Sequence, residues 1–261
     1  MAEYLIQGET LTRIADAIRN KVPSITHPLS PAGMAGAIDS VYDQGFNDGY
    51  DLVWDCLQDY GARKSYQSAF YGWHHSSFHP KYKVKPTEAL GAQNMFFAAW
   101  ITKIYKNYFD LSGMPSTADV SGMFSWCTEL EHMEDIGLPA PANYGHTWNY
   151  CRNLKTIDVM RCSASTKFNS NTFMSCSALE NLTVSGTIGQ SGLNLQYSTK
   201  LSKASITSII NALSTTTSGL SITLSKTAVE TAFPPASGTL TANIEWNTLK
   251  MTRNNWTINL L

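Results

Sequence analysis

The sequence predicts an α/β protein in which a stack of short repeats lies between a helical segment and a smaller α/β region. Two observations predict it. An aromatic–Cys–Leu pattern recurs in the middle of the chain. Apolar residues before and after this pattern recur at helical spacing, and near the end of the chain some of them alternate as in a strand. The expected domains are a helical anchoring or oligomerisation module (1–50), an aromatic-rich connector (51–93), the repeats (94–200) and an α/β cap (201–261).

The repeat consists of an aromatic residue, a cysteine three places later and a leucine three places after that. It occurs in MFSWCTELEHMED, TWNYCRNLKTIDV and TFMSCSALENLTV. The cysteines are 24 and 25 residues apart (127, 151, 176), which lies within the period of a leucine-rich repeat, so the sequence predicts a short solenoid of that kind. The predicted repeat core is Phe124, Cys127, Leu130, Trp148, Cys151, Leu154, Phe173, Cys176 and Leu179.

The cysteines are interpreted as small buried apolar groups, because in stacked coils a thiol fits where a leucine would overfill the space. The alternative is a soft-metal or redox set, which a single thiol per copy disfavours. After the leucine, alternation through Ile157 and Val159, and through Leu182 and Val184, predicts a short strand in a stacked parallel sheet. Cys56 and Cys162 lie outside the pattern.

A degenerate copy is predicted before the three clear ones. Met95 and Phe96 lead it, Ala99 takes the cysteine place and Thr102 takes the leucine place. Terminal repeats often depart from the pattern because they close the core.

The residues after the repeats predict alternating helices and strands. Ser202 is a candidate N-cap for a first helix and Ser225 for a second. The stretch LSITL alternates as a strand, a third helix is expected around Ile244 to Thr252, and WTINLL reads as a final strand. This region is expected to cover the open end of the repeats and to hide unpaired strand edges. The apolar face of the first helix is predicted to carry Ile206, Ile209, Ile210 and Leu213.

The N-terminal residues predict two short amphipathic helices, one capped by Thr10 and one starting at Ser30 and Pro31. A module of this size is not stable alone, so it is expected to form a homo-oligomer or to dock on another protein. The row Tyr42, Phe46 and Tyr50 that follows indicates either a connecting helix or a self-association seam.

The charge and hydropathy of the chain argue against nucleic acid and membrane as partners. The chain carries 19 Lys and Arg against 20 Asp and Glu, which is not the basic surface of a nucleic-acid-binding protein. No stretch is long and apolar enough for membrane insertion, and the first twenty residues do not resemble a signal peptide. Neither export, membrane insertion nor a nucleic-acid partner is therefore expected.

Neither a metal site nor a catalytic site is predicted. The row His74, His75 and His79 could supply zinc ligands, but adjacent histidines in a strand point to opposite faces, and surface histidines are the favoured interpretation. The acidic run from Glu129 to Asp135 could supply paired carboxylates for glycan hydrolysis, although a solvated edge is the more common use of such a run. No cofactor is expected.

Three stretches resemble a known group of proteins. GETLTRIADAIRNKV followed by SPAGMAGAI resembles an N-terminal module of phage and prophage structural proteins of Gram-positive bacteria. MFSWCTELE and its two successors are similar to BspA-type leucine-rich repeats, and LSKASITSIINALSTTTSG with RNNWTI resembles the C-terminal cap of prophage-encoded leucine-rich-repeat proteins. No catalytic residue belongs to this pattern. The resemblance implies a BspA-like solenoid in a virion-associated protein that is assembled in the bacterial cytoplasm.

The leading functional hypothesis is therefore a bacteriophage virion protein for host adhesion, such as a tail-fibre, receptor-binding or capsid accessory protein. Its N-terminal helices would bind other virion proteins, and its repeats would bind a host surface protein or glycan. A bacterial cell-surface leucine-rich-repeat adhesin is the alternative, and a glycan-degrading enzyme is a third. The candidate ligand-binding residues, on the exposed face of the strands, are Asp158, Asn181 and Thr183.

Overall fold

The structure, a computed structural model, describes Gly72 and residues 91–235 and 238–261. All of them belong to one compact unit of the chain. The predicted N-terminal helices, the aromatic row that follows them, the three clustered histidines and Cys56 lie outside the described residues.

The described residues form a mixed α/β fold with two parallel sheets and three α-helices. The first sheet has the order β1-β2-β3-β4 and the second the order β5-β6-β7. A short 3-10 helix spans Leu240–Ala242. The first sheet comprises β1 (Lys103–Ile104), β2 (His132–Met133), β3 (Thr156–Cys162) and β4 (Asn181–Gly186). The second comprises β5 (Asn194–Leu195), β6 (Leu220–Leu224) and β7 (Trp256–Leu260). The helices are α1 (Lys203–Ala212), α2 (Lys226–Ala232) and α3 (Ile244–Met251).

Each strand of the first sheet comes from the next copy of the repeat, and the copies pair in register. His132 pairs with Thr156, which pairs with Asn181. Parallel neighbours require a long return connection, and here the remainder of each copy supplies it. A second series of parallel bridges joins the same copies through Gly91, Asp119, Asn143 and Lys167. We use the word coil for one copy together with its return connection.

Two consecutive tight turns connect the aromatic residue, the cysteine and the leucine of each coil. In the first clear copy, the amide of Cys127 donates to the Phe124 carbonyl at 3.1 Å and the amide of Leu130 donates to the Cys127 carbonyl at 3.1 Å. The same two bonds recur around Cys151 and Cys176. The spacing of three residues in the sequence is therefore the span of one hydrogen-bonded turn.

The degenerate first copy is one residue shorter than the sequence alignment assumed. Ile101 is fully buried, whereas Thr102, predicted for the leucine place, is exposed. The Thr102 carbonyl accepts a hydrogen bond from the amide of Glu131, the residue after Leu130. Because this register places Ile101 beside Leu130, Ile101 occupies the leucine place and the prediction of Thr102 was wrong.

The alternation predicted for β3 is interrupted by a bulge. Ile157 pairs with Leu182, but the next aligned pair is Met160 with Val184, so Asp158 and Val159 together lie opposite one residue of β4. Met160 is fully buried and Val159 only half-buried. The buried position assigned to Val159 therefore belongs to Met160, because the extra residue reverses the inward and outward alternation.

A further copy follows the three clear ones. Leu195, Ser198 and Leu201 are buried, and the amides of Ser198 and Leu201 make the same two turn bonds as their counterparts in earlier coils. This copy was not predicted, because leucine replaces the aromatic residue and serine replaces the cysteine. The conserved spacing of three residues was the available signal.

The helices and strands predicted after the repeats are confirmed. The Ser202 hydroxyl accepts from the Ser205 amide at 3.2 Å, and the Ser225 hydroxyl accepts from the Ala228 amide at 3.4 Å, so both serines are N-caps. The third helix begins after Asn243, whose side-chain oxygen accepts from the Trp246 amide.

Helix α1 covers the outer edge of the first sheet. The Ser205 hydroxyl accepts from the Leu182 amide at 2.8 Å and donates to the Glu180 carbonyl at 2.9 Å. One turn later, the Ser208 hydroxyl accepts from the Val184 amide at 2.8 Å. These hydroxyls take the place of a further strand beside β4. They form hydrogen bonds with backbone groups at this edge of the sheet, which would otherwise be unpaired.

Arg253 and Trp256 close the C-terminal end of α1. The Arg253 guanidinium donates to the carbonyls of Asn211 and Leu213, and the Trp256 indole N–H donates to the Ser214 carbonyl. The last carbonyls of a helix lack partners within the helix. The RNNW stretch before β7 thus supplies the donors that end α1.

Candidate binding surfaces

The predicted repeat-core residues form a buried column with a regular set of contacts. All nine have no exposed surface. Each thiol lies against the backbone of the preceding coil: Cys127 Sγ is 2.9 Å from the Phe96 carbonyl oxygen, Cys151 Sγ is 3.0 Å from that of Phe124, and Cys176 Sγ is 2.9 Å from that of Trp148. The rings of Phe96 and Phe124 stack with centroids 5.3 Å apart.

Burial raises the pKa of these thiols. It raises the pKa of Cys127 to about 12, and it raises those of Cys151 and Cys176 as well. A thiolate is the form that attacks electrophiles and binds metals. The cysteine column is therefore built for packing. In the described part of the chain, no three His, Cys, Asp or Glu side chains are grouped so as to hold a metal ion.

The three residues predicted for ligand binding lie close together on the strands of the first sheet. Asn181 and Thr183 are exposed, and the Asp158 side chain is 40% exposed. Asp158 Oδ1 is 2.7 Å from Nε2 of His132, and the Asn181 amide nitrogen donates to the Thr156 hydroxyl at 3.5 Å. Two of the three side chains therefore have protein partners, and Thr183 lies opposite the bulge of β3.

The acidic run from Glu129 to Asp135 is largely paired with cations of neighbouring coils. Glu134 lies 2.9 Å from Lys103 of the preceding coil, and Glu131 lies 2.9 Å from Lys155 of the following one. Asp135 and Arg161 form two parallel hydrogen bonds of 2.6 Å. The carboxylates thus link successive coils by ion pairs.

These pairs lower the pKa values of two carboxyl groups. Hydrogen bonds from Arg161 hold the pKa of Asp135 below its ordinary value. Burial alone would raise the pKa of Glu134, but hydrogen bonds from the Lys103 side chain and the Lys106 amide outweigh it, and the net pKa is lowered. A glycosidase needs a general acid whose pKa is raised, so the pKa values of these two carboxyls are shifted away from that role.

We expect Asp135→Asn to lower the free energy of unfolding by about 0.5–1 kcal/mol at pH 7, since the bidentate pair is about one-third exposed. Because the pKa of Asp135 is lower in the folded state, its contribution is complete above its ordinary value of 3.8 and is lost as the pH falls below that value. The difference between wild type and variant should therefore shrink by pH 3.

Urea denaturation at both pH values measures this difference. Glu180→Gln is the matched control, because the described residues show no ion pair at Glu180. An Asp135→Asn effect that is the same at pH 7 and pH 3 would show that the ion pair is not its source.

A second surface is formed by the residue two places after the aromatic in each coil. Two adjacent coils carry Trp126 and Tyr150 there, and their rings stack with centroids 4.3 Å apart and an angle of 12° between planes. Trp126 is 44% exposed. The Arg152 guanidinium lies 5.3 Å from the centroid of the Tyr150 ring. The coils place an exposed aromatic pair at one corner, which we call the aromatic corner.

The backbone at the aromatic corner has a positive φ. The angle is 64° at Trp126 and 60° at Tyr150, and it is also positive at Ala98 and Ser175, which hold the same place in other coils. A left-handed backbone costs a residue with a side chain about 1–2 kcal/mol. Stacking of two aromatic rings contributes about 0.5–1.5 kcal/mol of stabilising free energy. The turn itself needs no aromatic residue, since alanine and serine adopt it too.

A recess of about 220 Å³ lies beside Trp126. Its other lining residues are polar, small or aromatic, and none is Asp, Glu, Lys or Arg; they are Asn94, Phe97, Ser121, Gly122, Ser125, Gly145, His146 and Asn149. Asn149 Oδ1 is one of two buried side-chain polar atoms in the described residues that lack a hydrogen-bond partner. This surface was not predicted from the sequence, although an aromatic residue recurs at the same place of three copies, as Trp126, Tyr150 and Tyr197.

Comparisons with protein-family models, with curated proteins and with solved structures return no match to this chain. None of the helices in residues 91–235 and 238–261 is long and apolar enough to cross a membrane.

Proposed function

We propose that this chain is a non-enzymatic binding protein whose residues 94–200 form a short leucine-rich-repeat, BspA-like solenoid, and that it serves as a host-adhesion protein of a bacteriophage virion. The observation that carries the proposal is the register of the coils. Equivalent residues of successive coils lie side by side, as in the row His132, Thr156 and Asn181. Repeats stacked in this way present long, continuous surfaces, which such proteins commonly use for binding.

The chemistry of the described residues favours binding over catalysis. The candidate carboxylates are engaged in ion pairs that lower the pKa values of Glu134 and Asp135. The cysteines of the repeats are buried and their pKa values are raised. An adhesin needs neither a general acid nor a nucleophile. It needs exposed side chains held at fixed distances, which the strand face and the aromatic corner provide.

The virion assignment draws on the resemblance of the N-terminal stretch and the repeats to phage structural proteins. In this proposal the N-terminal module binds other virion proteins or forms a homo-oligomer, and the repeats face the host. The α/β region from residue 201 onward closes the solenoid. Its hydroxyl contacts from Ser205 and Ser208 to the amides of β4 support that role.

The proposal is tested by asking whether the chain is a component of purified phage particles. Phage particles are purified by density gradient from a lysate of cells that encode the full chain, and an antibody against the chain is used to detect it. We expect it to co-sediment with infectious particles, and we expect the purified full-length chain to compete with particles for adsorption to host cells. Its absence from particles would overturn the virion assignment. Its detection on the surface of cells that produce no phage would favour the alternative, a bacterial surface adhesin.

A further inference from the structure

The fold does not require the large aromatic side chains at the aromatic corner. Four coils carry this turn with a left-handed backbone, yet Ala98 and Ser175 make it with small side chains while Trp126 and Tyr150 make it with large ones. A positive φ favours glycine or asparagine. A bulky residue held in that conformation and left 44% exposed indicates a role other than packing.

The surroundings of Trp126 suit a small polar ligand. Tyr150 stacks on the indole at 4.3 Å, and the indole also lines the recess. The corresponding residue in the preceding coil is Ala98, whose amide donates to the Ser125 carbonyl and whose side chain is a single methyl group. The indole thus meets a recess whose polar groups are the amides of Asn94 and Asn149, the hydroxyls of Ser121 and Ser125, and the imidazole of His146.

We propose that this recess binds a neutral saccharide, with a sugar ring packed against Trp126 and its hydroxyls bonded to the surrounding amides and hydroxyls. The C–H face of a pyranose ring packs well on an indole. The side chains of asparagine and serine both donate and accept hydrogen bonds, as sugar hydroxyls do. Asn149 lines the recess and its Oδ1 has no hydrogen-bond partner in the described residues, so rotation of this side chain toward the recess would offer the oxygen to one such hydroxyl.

Charge favours an uncharged ligand. The lining residues include no Lys or Arg, the side chains with which phosphate and carboxylate groups pair most strongly. They include no Asp or Glu either, so an amino sugar with a free ammonium group is not favoured. Arg152 lies over Tyr150 and is not a lining residue of the recess.

The dimensions of the recess suit one sugar of a glycan. A volume of about 220 Å³ is small for an isolated ligand site, since such sites usually measure about 300–1,000 Å³. The rings of Trp126 and Tyr150 stack nearly parallel, so a sugar packed on the other face of the indole lies parallel to both rings and its glycosidic bonds point across the coils. The neighbouring sugars of a longer glycan would therefore lie outside the recess.

This inference deepens the adhesion part of the proposed function, because it names the surface and the ligand class. Its test uses the purified full-length chain and requires no phage particle. The probes are cellohexaose, maltohexaose and chitohexaose, and binding is measured by saturation-transfer NMR and by titration of tryptophan fluorescence. We expect wild type to bind at least one of the three.

Trp126→Gly is the decisive variant, because glycine removes the indole and suits the positive φ at this place. We expect its melting temperature to stay within about 3 °C of wild type and its affinity for the bound hexasaccharide to fall by at least about ten-fold. Tyr197→Ala is the matched control, since Tyr197 is an exposed aromatic at the equivalent place of a later coil but does not line the recess. It should bind as wild type does.

Four outcomes would overturn the inference. The first is that wild type binds none of the probes, the second is that Trp126→Gly binds as tightly as wild type, and the third is that Tyr197→Ala loses as much affinity as Trp126→Gly. The fourth is that binding is lost only in the triple variant Asp158→Ala, Asn181→Ala, Thr183→Ala, which would place the site on the exposed face of the strands. In each case, a chain that still co-sediments with particles and competes for adsorption would leave the proposed function standing.

Discussion

Replacing Trp148 by alanine is expected to cost about 3–5 kcal/mol of unfolding free energy, whereas replacing it by phenylalanine should cost less than about 1 kcal/mol. The Trp148 side chain is fully buried in the aromatic column and stacks on Phe173 with centroids 4.8 Å apart. Alanine would leave a cavity in the centre of the column and remove the ring contacts with Phe173 and Tyr144.

Phenylalanine is tolerated for two reasons. It already occupies the same place in the neighbouring coils, as Phe124 and Phe173. The indole Nε1 of Trp148 is buried and has no hydrogen-bond partner among the described residues. A buried N–H without a partner costs about 1–3 kcal/mol, so its removal offsets much of the packing lost with the smaller ring.

Chemical denaturation of both variants measures these two free energies, and Trp126→Phe at the exposed corner is the control for loss of an indole. Unfolding should be followed by far-ultraviolet circular dichroism, because the substitutions alter tryptophan fluorescence directly. A Trp148→Phe variant as unstable as Trp148→Ala would mean that the indole makes a contact essential to the stack.

Gly186→Ala is expected to lower the free energy of unfolding by about 2–5 kcal/mol, from about 1–2 kcal/mol for a left-handed backbone and about 1–3 kcal/mol for overpacking. Gly186 has φ of +92° and ends β4, where it pairs with Cys162. A methyl group added there would overlap the Cys162 carbonyl oxygen. That oxygen also accepts the Thr187 amide at 3.1 Å, so neither strand end can shift without losing a hydrogen bond.

Gly219→Ala separates the two contributions. Gly219 has φ of +75°, and nothing lies within 4 Å of a methyl group added there. We expect this control to lose only the backbone part, about 1–2 kcal/mol. Thermal unfolding and urea denaturation of both variants test the difference, and equal losses would show that contact with Cys162 contributes nothing.

The predictions that succeeded from sequence depended on short-range rules. Ser202 and Ser225 cap their helices because a serine hydroxyl reaches the amide three residues later, whatever the rest of the chain does. The spacing of three residues between aromatic, cysteine and leucine is likewise the span of a local turn. Patterns of this kind are visible in the residues themselves.

The errors in the repeat arose in the copies that depart from the regular pattern. Equivalent residues lie 28 places apart from Ala99 to Cys127, but 24 from Cys127 to Cys151 and 22 from Cys176 to Ser198. In the first copy Ile101 follows Ala99 by two places instead of three, so a gap-free alignment placed Thr102 where Ile101 packs. The last copy, Leu195, Ser198 and Leu201, keeps the spacing but lacks the aromatic residue and the cysteine. Only hydrogen bonds between coils determine which residue of one coil lies beside which residue of the next.

The sequence by itself determined the local turns and the helix caps, because each depends on residues within about four places of one another. It indicated the burial of the cysteine column through the 24- and 25-residue period of the repeat. The tertiary structure decided the bulge at Asp158 and Val159, the pairing of Asp135 with Arg161, and the meeting of Trp126 with Tyr150. Each of these last two contacts joins residues 24 or 26 places apart, and no local preference specifies such a contact. The stacking of the coils brings the partners together.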